Sequence, residues 1–459
     1  MPRDPASFRD PAGHVHLQNG RILRSILPPG AAAYRISKDS GFLEVATRSG
    51  RLIEGREVEP TILGNEEPGA VYVLEHPRLD FISYPYEWSF SGLQAAALLT
   101  LDLHAEALQY GLTLSDASAY NVQFIGPRPI FIDYLSLLPY QDGQVWLGYR
   151  QFCEQFLNPL LLTVKTGVAF QPLYRGTLEG IRSADLAALL PFRTKLDPRI
   201  AVHVVLQGRM QQNVTAERTS KAKGIRLSRT ALTNNLRSMR GWVAKLQPPS
   251  SQLTPWEQYE QTAQYTTDER KAKACFVSEV VAAVGPKQVW DLGCNSGEYS
   301  ELALRSGARS VIGFEPDPGA LNAAYRRAVS QQLSFLPLAL DLVNPSPALG
   351  WRQQERLGFA ARRSGDLVLC LALLHHLVLG RNLPLSQVLE WLVALAPRGV
   401  VEFVPKEDPM AQLLLALKPD IAPDYDRDTV RALLGKLARI EREEVVTASG
   451  RALFAFSRP

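Results

Sequence analysis

Along the second half of the chain, apolar residues gather into short runs that close on an acid or a glycine. Val289 and Trp290 lead into Asp291, Ser310 to Phe314 into Glu315, and Leu336 to Leu342 carries Asp341 near its end. Asp366 to Leu377, Gly399 to Val404 and Arg451 to Phe456 are further runs of this kind. Runs of such length, bounded by turn formers, read as buried strands, and the stretches between them have helical spacing. Strands alternating with helices predict an α/β fold on a doubly wound sheet over residues 255–459. Ahead of the first strand, Trp256 to Val277 has the pattern of an amphipathic helix, expected to lie over the sheet as a lid. The first half reads differently. Leu93 to Leu108 has apolar helical periodicity, and Leu114 to Leu135 holds two apolar runs around Gly126-Pro127-Arg128-Pro129. A hairpin there would bring Asn121 to Asp133, within an α+β module over residues 1–205.

The chemistry concentrates in Val289 to Ser300, VWDLGCNSGEYS. A strand, a tight glycine turn and a helix start allow backbone to approach a nucleotide-like ligand closely, and a side chain at Gly293 or Gly297 is expected to fill the ligand's space. Glu315, twenty-two positions after Gly293, is spaced to accept hydrogen bonds from both hydroxyls of a ribose. Dinucleotide dehydrogenases need G-x-G-x-x-G around a pyrophosphate; here the turn is Gly293-x-x-x-Gly297 after an acid, with no third glycine in place.

This segment resembles motif I of the class I (Rossmann-like) S-adenosylmethionine (SAM) methyltransferases, with Asn295 after Cys294 where a glycine is commoner. The resemblance covers roughly residues 255–459. It implies SAM as cofactor, with Asp291 helping to hold the methionine ammonium and Gly293, Cys294, Asn295 and Gly297 lining the turn. Glu315, in GFEPDP, implies ribose binding; Asp341 takes the adenine amino group and the Leu342 backbone lies beside the ring. Leu371 belongs to the fourth-strand segment where substrate meets cofactor. Tyr265 and Lys273 are candidates to close over the methionine end, Lys273 through its carboxylate. Methyl transfer needs a nucleophile held in line with water excluded, and a base only where the nucleophile must lose a proton. His376, His375 and Glu402 are the candidates for that base, and Lys406 and Asp408 for substrate contacts. Cys294 reads as a packed residue, not a nucleophile.

In the first half, Asp116-x-x-x-x-Asn121 followed by a strand ending in Asp133 resembles the catalytic loop and metal acid of protein-kinase-like and aminoglycoside-phosphotransferase-like folds, around residues 80–205. That resemblance implies an Mg-ATP site, with Phe81 to Trp88 as hinge. The departures are specific. Leu114 and Ser115 stand where a His-Arg pair would precede Asp116, Tyr134-Leu135 follows the metal acid, and Lys38 is the only lysine in the first 150 residues, in a polar stretch. A module lacking a phosphate-pairing lysine reads as a scaffold or substrate-recognition unit, with retained kinase activity as the alternative.

Composition narrows the class. With 46% hydrophobic and 21% charged residues over 459 positions, the chain suits two or more soluble domains. No run reaches the roughly 18 to 20 apolar residues of a membrane span, and the first residues lack the apolar core of a secretory signal. The four cysteines are scattered, without zinc spacing or a disulfide framework, which predicts a reduced, cytoplasmic enzyme without a metal. The net charge of +4 is uneven: Arg209 to Lys245 holds nine Lys or Arg against Glu217 alone. Residues 206–254 therefore read as a basic helical connector, ending in the linker-like Gln247-Pro248-Pro249-Ser250-Ser251. Such a segment suits nucleic acid, anionic lipid or a phosphorylated glycan, although the near absence of aromatics argues against a single-strand platform. The whole arrangement also resembles a group of bacterial proteins carrying a methyltransferase after an N-terminal module, some labelled nodulation-related. That fits a small-molecule, glycan or lipid-linked acceptor; a bifunctional methyltransferase-kinase and a nucleic-acid methyltransferase are the alternatives.

Overall fold

The computed structural model describes residues 3–212, 226–249, 266–362, 365–416 and 422–458. It divides into two compact units, one of Met1–Gln252 with Pro347–Leu357, the other of Leu253–Ser346 with Gly358–Pro459.

In the first unit, Asn19 and Gly20 both take positive φ, which closes a two-residue hairpin between strands β1 (Val15–Gln18) and β2 (Arg21–Ile26). With β3 (Arg56–Val58) and β4 (Tyr72–His76) they form an antiparallel sheet in the order β1-β2-β4-β3. The helix Phe90–Ala107 follows, its first turn capped by the Ser89 hydroxyl accepting from Gly92 N–H at 3.0 Å. Its Leu93, Ala96, Ala97, Leu101 and Leu103 are buried. Two small pairings complete the unit's strands: β5 (Leu112–Leu114) with β8 (Leu137–Pro139), and the hairpin of β6 (Val122–Ile125) with β7 (Arg128–Phe131). Gly126 takes the positive φ of that hairpin, and Ile132 N–H donates to Asn121 O at 2.8 Å. Of the basic segment, the helix Arg229–Val243 packs on Phe90–Ala107. Arg240 pairs with Asp102 at 2.8 Å, and Gln94 donates to the Val243 and Leu246 carbonyls.

The second unit is built on a seven-stranded sheet. Its strands are β9 (Gln288–Leu292), β10 (Ser310–Glu315), β11 (Phe335–Ala339), β12 (Leu367–Cys370), β13 (Arg398–Phe403), β14 (Arg439–Val445) and β15 (Ala452–Ser457), in the order β11-β10-β9-β12-β13-β15-β14. The first five are parallel, and β15 runs antiparallel to both its neighbours. This is the doubly wound α/β fold anticipated from the strand pattern. The strands stay parallel, but their order along the sheet reverses between β9–β11 and β12, and sheets of this kind bind ligands at the carboxyl ends of the strands flanking such a switch, here β9 and β12.

The segment ahead of β9 departs from expectation. Residues 250–265, Tyr265 among them, lie outside the described residues, and the helix spans Thr267–Val284. It is a core helix in place of a lid: Phe276, Val277 and Val281 have no exposed surface and pack with Val289, Val311, Leu369, Val400 and Leu453. Burying one such phenylalanine contributes about 2–3 kcal/mol.

Between β11 and β12 the chain makes an excursion. Phe359 N–H donates to Ser346 O at 2.9 Å, and the residues enclosed, 347–357, belong to the first unit. There Glu355 takes a bidentate pair from Arg9 at 2.6 and 2.9 Å, Leu357 N–H donates to the Tyr84 hydroxyl at 2.7 Å, and the Arg356 guanidinium lies 4.0 Å from the centre of the Tyr120 ring. Among the described residues no helix is long and apolar enough to cross a membrane.

Candidate active site

After β9 the backbone turns sharply: Gly293, Asn295 and Gly297 take φ of 71, 49 and 85°. Asparagine tolerates the left-handed region better than most residues, which explains its place in this turn. Gly293 and Cys294 N–H both donate to Phe314 O, at 2.8 and 3.1 Å, which ties the turn to β10. The two glycines serve different ends, which corrects the expectation that both clear ligand space. A Cβ at Gly297 would stand 2.5 Å from the Phe335 ring, so there glycine is required by packing within the sheet. A Cβ at Gly293 would stand 3.4 Å from Leu373 Cδ1, an ordinary contact, so Leu373 walls the open side of the turn.

Two acids frame the turn. Asp291 is 2% exposed and accepts the Ser300 hydroxyl at 2.6 Å; burial pushes its carboxyl up to about 6, against the opposing pull of that bond and of Lys273. Glu315 accepts the Asn295 amide at 2.9 Å and the Asp317 amide at 2.8 Å, yet burial pushes it up to about 7. Asp341, 41% exposed, follows β11 and accepts Val343 N–H at 3.0 Å, with Arg381 at 3.9 Å; Leu342 beside it is half-buried. Cys294 is buried and its thiol is pushed up strongly by desolvation, in keeping with a packed residue.

Beyond β12, Leu371 is buried and Ala372 takes a φ of 48°. His375 has no exposed surface, neither of its ring nitrogens has a hydrogen-bond partner among the described residues, and burial drives its basicity well down. The His376 ring lies 4.2 Å away and is pushed down to about 4, chiefly by burial and then by Arg451. Both imidazoles are therefore neutral near pH 7. Glu402 is fully buried, 2.7 Å from Lys273 Nζ, with Ala372 N–H donating to it at 2.8 Å. Lys273, expected at the methionine carboxylate, is thus paired with Glu402 and stacked 4.7 Å from the Tyr299 ring centre. Asp408, expected to meet substrate, instead takes a buried bidentate pair from Arg451 at 2.7 and 2.9 Å, and Lys406 donates to Ala422 O at 2.6 Å.

In the first unit the fold gathers the second motif. Asp116 accepts Ser118 N–H at 2.8 Å, and burial, with the charge of Asp133 nearby, pushes its carboxyl up. Asn121 donates to the Ser136 hydroxyl at 3.3 Å, and Ser136 donates to Asp133. Asp133 also pairs with Arg24 at 3.1 Å, and Arg24 reaches Asp10 at the same distance. Among the described residues no group of three or more His, Cys, Asp or Glu could hold a metal ion. Arg24, Ser136, Ser300, Leu373 and Arg451 were absent from the sequence-based list. Ser300, Leu373 and Arg451 lie inside segments already singled out, but their partners Asp291, Gly293 and Asp408 are reached only through the fold.

Residues 290–403 match the family model described as a methyltransferase domain. Across 459 residues, 99% of this chain and 96% of the relative, the chain is 41% identical to the nodulation protein NoeA of Rhizobium meliloti (strain 1021). Among solved structures, the magnesium protoporphyrin IX methyltransferase of Synechocystis PCC 6803, with bound SAH, is 21% identical and aligns with 45% of this chain and 96% of its own, at a TM-score of 0.33. The N-methyltransferase NodS of Bradyrhizobium japonicum WM9 is 14% identical over 42% of this chain and 98% of its own, at a TM-score of 0.31.

Proposed function

The chain belongs to the family of the nodulation protein NoeA and is a SAM-dependent methyltransferase, and from that premise we propose that it methylates a small-molecule, glycan or lipid-linked acceptor which its N-terminal unit helps to recognise. The observation that carries the cofactor site is the pair of buried acids, Asp291 and Glu315, on either side of the glycine turn. They fit the ligand in charge and in hydrogen bonding, since SAM bears a sulfonium and an ammonium against one carboxylate, and a ribose offers two donors. When bound, SAM supplies an electrophilic methyl group. The chain's own residues hold and enclose it: Asp291 at the ammonium, Glu315 at the ribose, Asp341 and the Leu342 backbone at the adenine, and Leu373 as a wall that excludes water. A neutral His376 beside the loop after β12 is able to accept a proton from an acceptor hydroxyl, with His375 packed behind it. The acceptor class rests on the relative's association with nodulation. Docking of the helix Arg229–Val243 within the first unit also leaves less of the basic segment for a nucleic-acid strip.

Incubation with labelled SAM and fractionated bacterial extract tests this directly. Label is expected in a small-molecule or glycan fraction, and Asp291→Ala should lose both labelling and SAM binding. Label confined to RNA would move the assignment to a nucleic-acid methyltransferase. A second reading adds phosphoryl transfer in the N-terminal unit, motivated by the convergence of Asp116, Asn121 and Asp133. Mg-ATP binding that disappears in Asp133→Ala would support it, and no binding at millimolar ATP would end it.

A further inference from the structure

Glu402 ends a central strand with no exposed surface, where a carboxylate is tolerated only if charge and hydrogen bonds surround it. Its Oε2 meets Lys273 Nζ at 2.7 Å and accepts Ala372 N–H at 2.8 Å, and Arg451 Nη1 lies 3.8 Å from Oε1. Lys273 reaches this point from the core helix Thr267–Val284, and Arg451 is anchored on Asp408. The carboxylate is therefore fixed from two sides before it touches the loop after β12.

Ala372 is the residue of that loop under strain. Its φ of +48° lies in the left-handed region, which an alanine occupies only when its surroundings hold it there. The next residue, Leu373, stands 3.4 Å from the place a Cβ on Gly293 would occupy, and two positions further on come His375 and His376. The His375 ring makes no hydrogen bond among the described residues, so it does not anchor the loop.

We propose that Glu402 is a positioning residue for the cofactor notch: held by Lys273, it draws the Ala372 amide into the left-handed turn and so sets Leu373 against Gly293. In this role Lys273 is the counter-ion of Glu402 and not a ligand of the cofactor carboxylate. Resting on the methyltransferase reading, the inference assigns the notch its geometry through a residue that touches neither cofactor nor acceptor.

The test uses the full chain with S-adenosylhomocysteine as probe, its affinity read by calorimetry beside the thermal midpoint. Glu402→Ala is expected to weaken binding at least tenfold, and Glu402→Gln, which keeps an oxygen for the Ala372 amide, by no more than about threefold. Glycine enters the left-handed region unaided, so in an Ala372→Gly background the loss from Glu402→Ala should shrink to threefold or less. A purely structural role predicts equal losses in both backgrounds, and that result overturns the proposal. Should Glu402→Ala fail to fold, Ala372→Val leaves the Glu402–Lys273 pair intact while disfavouring the turn. It should then weaken binding tenfold while lowering the midpoint by only a few degrees, and unchanged affinity overturns the proposal. Wild-type protein that fails to bind the probe sinks the cofactor site itself, whereas wild-type binding with indifferent variants sinks only the role of Glu402.

Discussion

Asp291 and Glu315 are acids placed where their charged forms are costly. Desolvation raises them from ordinary values of 3.8 and 4.5 to about 6 and about 7. For acids so raised, the stabilising contribution is fully present below the unfolded value and is lost as pH climbs through the folded one. Ligand binding works in the opposite direction, because ribose hydroxyls and an ammonium favour the ionised carboxylates. S-adenosylhomocysteine affinity should therefore rise between pH 5.5 and 8, with protons released on binding. Calorimetry in buffers of differing ionisation enthalpy reads that release. Glu315→Gln should bind more weakly with a flatter pH profile; a wild-type profile that is already flat would remove this account. The residue scale also holds most of what the sequence did not disclose. Asp291, Gly293 and Glu315 were legible because their spacing along the chain reports the turn. Lys273 and Glu402 were not read as a pair because they lie 129 positions apart and only the folded sheet makes them neighbours.

Elements fared better than side chains, for a physical reason. Strands β9 to β13 are buried on both faces, so they appear as uninterrupted apolar runs such as Ser310 to Phe314. Strand β14, Arg-Ile-Glu-Arg-Glu-Glu-Val, was invisible: at the sheet's edge it is charged and half-exposed, as edges are when they resist further pairing. The described helix ahead of β9, Thr267–Val284, opens on a capping box at Thr266 and Glu269 that the broader periodicity of Trp256 to Val277 does not single out. There the Thr266 hydroxyl accepts Glu269 N–H at 3.2 Å and Glu269 accepts Thr266 N–H at 2.8 Å. Thr266→Ala should cost about 1 kcal/mol. The loss should show as faster hydrogen exchange over the helix's first turn, with β9 unaffected; uniform acceleration through the sheet would mean the cap matters globally.

For the whole molecule, the most consequential arrangement is that the first unit includes residues 347–357, which the chain inserts between β11 and β12 of the methyltransferase fold. Nothing in the sequence announces it, since the excursion has the mixed polarity of an ordinary loop. Within the first unit, Arg356 stacks on Tyr120, one residue before Asn121, so the borrowed segment braces the loop that carries Asp116 and Asn121. Arg356→Ala in the full chain should destabilise that unit by about 1–2 kcal/mol. The loss should be read as an earlier urea transition in fluorescence; an unmoved transition would show the stack to be ornamental.

Borrowing on this scale has a cost in time. A nascent chain that has completed Gln252 still lacks the piece that covers Tyr84 and Tyr120, and at 5–20 residues per second that piece is translated roughly 5 to 20 s later. During the wait, aromatic surface stands open on the ribosome. Translation speed between the two ends, or a chaperone that shelters the gap, becomes part of how this enzyme reaches its native state.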